Sequence, residues 1–169
     1  MNIVVNDANV LIDLVKLNLL PQFFSLNLTF YTSDFIMGEL SVDQREQLIF
    51  YIEQDILKVI ELDEDEIIDI VIIQDERSRL SMQDCSAIVC TQKVGGGLLT
   101  SDNLLRKFAE SKNIEVCGHL WIFDQLVANS KVTTITATQK LEELVDIVNT
   151  KLGLPKAEVQ SRIDKWGRL

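Results

Sequence analysis

The 169-residue chain contains one histidine, two prolines, seven glycines and three cysteines, and aromatic residues make up only 7% of it. Each shortage excludes something. With His119 alone, Ser-His-Asp chemistry and His-rich zinc sites have little to work with. So few Pro and Gly, in a chain that is 47% hydrophobic and 25% charged, exclude a disordered, collagen-like or linker-dominated protein. Cys85, Cys90 and Cys117 are an odd set without C-x-x-C spacing, which suggests reduced thiols rather than a disulfide framework or a zinc cage. No apolar run approaches the roughly 18 residues of a membrane helix, and Met-Asn-Ile-Val-Val carries no basic leader. A cytoplasmic protein without a membrane span is expected.

What is present is enough for one core. A chain of this length hides roughly 70% of its unfolded surface on folding. The formal charge of −10 would argue against a polyanionic partner if it were spread over the chain, but it is local. Eight acids and no base lie between Glu61 and Glu76, leaving −2 for the remainder. That run reads as the solvated face of a helix. From Lys151 onward five bases (Lys151, Lys156, Arg162, Lys165, Arg168) face two acids, a modestly positive tail. Net charge therefore does not decide about nucleic acid.

Periodicity predicts an alternation of strands and helices. Asn2 to Val5 is too short an apolar run for a helix and reads as a buried strand. It leads through Asn6 and Asp7 into a helix over Asn9 to Leu20. Leu28 to Thr32 reads as a second strand, with Ser33 and Asp34 as caps of a helical stretch containing Glu39. Asp43 to Gln54 is helical, and Ile56 to Leu62 is a third strand or a helix end. The acidic run forms an amphipathic helix to about Arg79. Ser81-Met82-Gln83-Asp84 is a capping-box pattern opening a helix that Gly95-Gly96-Gly97 stops. Those glycines lack a following Lys-Ser/Thr, so they do not form a phosphate loop. Leu98 to Thr100 and Ile114 to Cys117 are strands, and Asn103 to Lys112 and Leu120 to Ala128 are helices. Helices over about Thr138 to Leu152 and Lys156 to Trp166 close the chain. The alternation predicts an α/β fold with a mostly parallel central sheet.

In such a sheet ligands bind beyond the carboxyl ends of the strands. Asp7 ends the first strand and Asp102 follows the Leu98 to Thr100 strand; Glu39 and Asp84 are expected near the starts of helices flanking the same edge. Convergent carboxylates repel one another and persist where something cationic compensates. A hard divalent cation, taking oxygen ligands and a substrate phosphate, suits such a set. The plainer reading is capping: Asp7, Asp84 and Asp102 fall at helix N-termini, where an acid is worth about 1 kcal/mol. Glu39 alone would be an ordinary surface acid. Convergence of the four is what capping does not require. His119 is expected to be structural or on the surface, and Trp121 and Phe123 to belong to the core or an interface.

Four segments, Val4 to Leu11, Ile36 to Leu40, Leu80 to Ala87 and Leu98 to Leu105, resemble in order the acidic motifs of PIN-domain proteins, with the nearest likeness to VapC-like toxins of toxin-antitoxin pairs. The resemblance covers residues 1 to 130. It implies a three-layer α/β/α sandwich; residues 131–169 lie beyond the resemblance, and their helical pattern is expected to form a C-terminal extension packed on or beside the same domain. The resemblance also implies a Mg²⁺- or Mn²⁺-dependent endoribonuclease that uses a metal-activated water on RNA and leaves 5′-phosphate and 3′-hydroxyl ends. Asp7, Glu39, Asp84 and Asp102 would be its metal-binding acids. Asn9 and Thr100 match the polar companions that orient the first and fourth acids. Leu104 stands where many members carry a further acid, and Asn103 would stand in for it in part. The resemblance further implies an antitoxin partner, for which the tail with Val159, Ile163 and Trp166 is a candidate surface, and a homodimer. The alternatives are a PIN-like module that binds RNA or protein without cutting, and a receiver-like protein with Asp7 as phosphate acceptor. The latter lacks the expected Lys at a strand end.

Overall fold

The computed structural model describes residues 1–167; Arg168 of the basic tail lies outside the described residues. Five short strands, β1 (Ile3–Asn6), β2 (Thr29–Ser33), β3 (Leu57–Ile60), β4 (Gly97–Leu99) and β5 (Val116–Cys117), form one sheet in the order β3-β2-β1-β4-β5. Every pairing is parallel. Val4, Val5, Leu98 and Leu99 are fully buried in the central strands, as expected for a sheet covered by helices on both faces. The result is the three-layer α/β/α sandwich expected from the sequence. From β1 the chain builds outward to β2 and β3, then returns to β4 and β5 on the other side. The strand order thus reverses between β1 and β4, and the carboxyl ends of those two strands border the crevice where such sheets bind ligands.

The helices follow local signals. After β1 comes α1 (Ala8–Lys16), which ends sooner than its apolar period suggests. Asn18 adopts a left-handed φ of 55°, and Pro21 near the start of α2 (Leu20–Phe24) begins a separate helix, since proline suits a first turn and not an interior. Then follow α3 (Asp34–Glu39), α4 (Val42–Glu53), the acidic α5 (Glu64–Glu76) and α6 (Met82–Val94). Reciprocal capping boxes open α4, α5 and α6 at Ser41, Asp63 and Ser81. Gly95 closes α6 in the left-handed conformation, at φ 64°, where glycine is free of the Cβ penalty. Helix α6 packs across β1, β2 and β4, and α5 lies against α6.

The remaining helices are α7 (Asn103–Ser111), α8 (His119–Ala128), α9 (Thr134–Glu143) and α10 (Lys156–Trp166). Helix α9 starts earlier than its periodicity predicts, and a π-helical turn, Leu144–Val148, replaces its last part. Helix α9 packs on α8 and α10 on α9. Trp166 is buried, its ring 6.5 Å from that of Phe123, and Val159 and Ile163 pack against the core. The apolar stripe considered above as a free surface for a partner is therefore turned inward. No helix among the described residues is long and apolar enough to cross a membrane.

Candidate active site

The switch point between β1 and β4 is built from side chains as well as backbone. The Asp7 N–H donates to the Leu99 carbonyl at 3.1 Å, extending the β1–β4 ladder by one bond. Asp7 occupies the N-cap position of α1 in extended conformation, yet its side chain makes no capping bond. Instead the Thr100 hydroxyl donates to Asp7 Oδ2 at 2.7 Å, and Thr100 Oγ1 accepts from the Asp102 N–H at 3.1 Å. Both Asp7 and Thr100 are buried. One hydroxyl thus links the first acid to the segment carrying the fourth.

A carboxyl buried this way resists ionisation. Burial first, then the charges of Asp84 and Glu39, push Asp7 up to about 7, against the lowering effect of the Thr100 hydroxyl and the Ala8 backbone. Glu39 is also held above its ordinary value, by desolvation and by Asp84. Three of the four acids therefore share one electrostatic neighbourhood. The contact that brings α3 beside α6 is a buried hydrogen bond of 2.8 Å between Ser33 Oγ and Ser86 Oγ. Ser33 also caps α3, through the Ile36 N–H, and Ser86 donates to the Gln83 carbonyl.

The capping reading, which concerned Asp7, Asp84 and Asp102, fits the last two and fails for Asp7. Asp102 accepts from the Leu104 and Leu105 N–H groups at 2.8 and 2.7 Å. Asp84 accepts from the Ser81 N–H at 2.8 Å in the α6 capping box. Glu39 is the last residue of the six-residue α3, not near a helix start as expected. An acid there opposes the helix dipole, so helix stability does not account for it. Asp7 caps nothing. Asn9 and Asn103 are exposed on the first turns of α1 and α7.

Periodicity missed a buried polar network beside this edge. Asp13, on the inner face of α1, lies 3.2 Å through Oδ2 from His119 Nε2, and both side chains are essentially inaccessible. Asn149 Nδ2 donates to the same Asp13 oxygen at 2.8 Å. His119 Nδ1 is 2.8 Å from Ser101 Oγ, which accepts from the His119 N–H at 3.1 Å. Gly118 permits this closeness: a Cβ there would lie 2.6 Å from Ser101 Oγ and 3.0 Å from the Thr100 carbonyl oxygen. Residues Ser101, His119 and Asp13 are the right types for a hydrolytic triad, but the histidine and the acid are sealed from substrate. Their role is structural. One signal was legible, an acid on the apolar side of α1 between Val10 and Leu17.

The oxygen-rich edge suits a hard cation, because burial and the charge of Asp84 make both Asp7 and Glu39 costly to ionise, and Glu39 adds to that cost at Asp7. Among the described residues no three Asp, Glu, His or Cys side chains form a ready-made metal cage, which is compatible with Mg²⁺, a cation commonly held by one or two carboxylates and its own waters. The cysteines are free. Burial pushes Cys85 up to about 11 and Cys90 up to about 12, so neither is a nucleophile at neutral pH.

A five-stranded parallel sheet, helices on both faces and acids at its switch point define a three-layer α/β protein with its candidate site at the crevice between β1 and β4. A family model described as a PIN domain matches residues 3–166; the chain belongs to the PIN-domain family, and its fold is a nuclease fold. The match includes the C-terminal helices to the end of α10. No curated protein and no solved structure matches the chain.

Proposed function

We propose that the protein is a Mg²⁺- or Mn²⁺-dependent endoribonuclease, the toxin of a toxin-antitoxin pair. Asp7, Glu39, Asp84 and Asp102 would hold the cation, while Asn9, Thr100 and Asn103 orient the carboxylates. The observation that carries this reading is the Asp7–Thr100 pair: a carboxyl made costly to ionise first by its burial and then by Asp84 and Glu39, at the crevice between β1 and β4. A bound divalent cation would supply positive charge against the phosphodiester and make a coordinated water more acidic. Asp7 must give up its proton to serve as a ligand, so cation binding releases a proton at neutral pH. Thr100 fixes Asp7 Oδ2 and, through the Asp102 N–H, the spacing of the first and fourth acids. RNA as substrate, a cognate antitoxin, a homodimer and a cytoplasmic location belong to the same reading, as does the assignment of residues 131–169 as an extension of a 1–130 nuclease core.

Single-stranded RNA incubated with the protein and Mn²⁺ should be cut internally. Asp7→Asn and Asp102→Asn should each reduce the rate at least a hundredfold, and EDTA should abolish it. Cutting that survives both substitutions and excess EDTA overturns the proposal. A second reading, a PIN-like module that binds without cutting, draws on the engagement of Asp84 and Asp102 in helix caps. Calorimetric titration with Mn²⁺ separates the two, since a lack of saturable binding that depends on Asp7 favours the second.

A further inference from the structure

Helix α5 has two apolar faces. Ile70 and Ile73 are buried toward the body of the protein, but Ile67, Ile68, Val71 and Ile72 remain 38, 56, 48 and 57% exposed. At 3.6 residues per turn the last four form one outward stripe. Exposed aliphatic side chains clustered this way on a soluble protein mark an interaction surface.

Charge selects the occupant. Asp65 and Asp69, one turn apart, run along one flank of the stripe, while Glu64 and Asp75 close its ends. Lys93 pairs with Glu66 and Lys112 with Glu76. Among the described residues Glu64, Asp65, Asp69 and Asp75 have no ion pair. Such a face repels RNA and anionic membrane surfaces, and two copies meeting through it would set like charges together. The chain's own basic helix cannot cover it in a neighbour. Helix α10 spends its apolar stripe on the core, and Arg162 is held by Asp124 and Glu158.

We infer that the outer face of α5 docks a basic amphipathic helix of another protein, with an apolar stripe against Ile68, Val71 and Ile72 and Lys or Arg flanking it opposite Asp69 and Asp75. This is recognition of one amphipathic helix face by another, read as anchors at i, i+3 and i+4. The inference does not depend on the nuclease reading, because α5 contributes none of the four acids.

A charge-swap experiment tests it. The probes are two labelled synthetic helical peptides with the same leucine stripe, one flanked by lysine and one by glutamate, titrated into the full chain by fluorescence anisotropy. The lysine peptide should bind and the glutamate peptide should not. Asp69→Lys/Asp75→Lys should weaken the lysine peptide at least tenfold and gain binding of the glutamate peptide. Ile68→Ser/Ile72→Ser should weaken the lysine peptide to a similar degree. Circular dichroism and thermal melts check that both variants fold, with Asp69→Asn/Asp75→Asn as a milder substitute giving an intermediate loss. Equal affinity of wild type and both variants for the lysine peptide overturns the inference, as does wild-type binding of the glutamate peptide. It is also overturned by a wild-type dimer that Ile68→Ser/Ile72→Ser dissociates, or by capture of phosphatidylglycerol vesicles through the same residues.

Discussion

The chain has two concentrations of acid, and they are opposites. Between Glu61 and Glu76 eight acids stand on contiguous sequence, most of them in water on or beside α5. Around the switch point Asp7, Glu39 and Asp84 come from three separate segments, the Asp102 N–H is tied to Asp7 through Thr100, and Asp7 is only 3% exposed. The dense cluster dominates the net charge. The sparse one dominates the electrostatics, because the cost of an ionised carboxylate depends on how much water it keeps and on which charges face it, not on how many acids share its sequence window.

Substituting Asp7 should break this contrast most strongly. Folded Asp7 holds its proton to about pH 7, against an ordinary value of 3.8. Its contribution to stability is therefore complete below about pH 4 and is lost as the pH rises to about 7. Asp7→Asn removes that titration. The variant should be more stable than wild type at pH 8, by a few kcal/mol from the size of the shift, and the gap should narrow toward pH 4. Denaturant melts across that range decide it: an Asn variant weaker than wild type at pH 8 sinks the account.

The Thr100 hydroxyl offers a sharper cut of intermediate size. Thr100→Val keeps the shape, removes the donor to Asp7 and leaves the Asp102 N–H without its acceptor, which should cost about 2 kcal/mol. Ser at the same position should recover most of it. If Val is neutral in chemical denaturation, the bond does not organise the edge. Asn149→Ala, which strips one partner from the buried Asp13 carboxylate, should cost roughly 1–3 kcal/mol by the same measurement. The smallest effect belongs to the dense cluster. Asp69→Asn on α5 should change stability by no more than about 0.5 kcal/mol, read from thermal melts at low salt.

Legibility in the sequence tracked locality. The turn from β1 into α1, the capping box at Ser81 and the stop at Gly95 each depend on a few adjacent residues, so pattern alone located them. The helix expected over Asn9 to Leu20 ran too far because the left-handed Asn18 leaves no mark on hydrophobic period. The position of Glu39 depended on where α3 ends, and a helix of six residues is too short for periodicity to bound. Asp7 was read as either a cap or a ligand, and only the packing of Thr100, 93 positions away, shows that its side chain caps nothing. The Asp13–His119 contact spans 106 positions, and no window used to read a sequence is that wide.

The Asp13 carboxylate also dates the completion of the molecule. Its partner Asn149 lies 136 positions downstream, beyond all five strands and most of the helices. During synthesis on the ribosome, α1 and its neighbours can assemble while that carboxylate still lacks one of its two polar partners. The inner face of α1 is sealed only when nearly the whole polypeptide has emerged, so a chain clipped ahead of residue 149 would hold the sheet's acidic edge on an unfinished foundation.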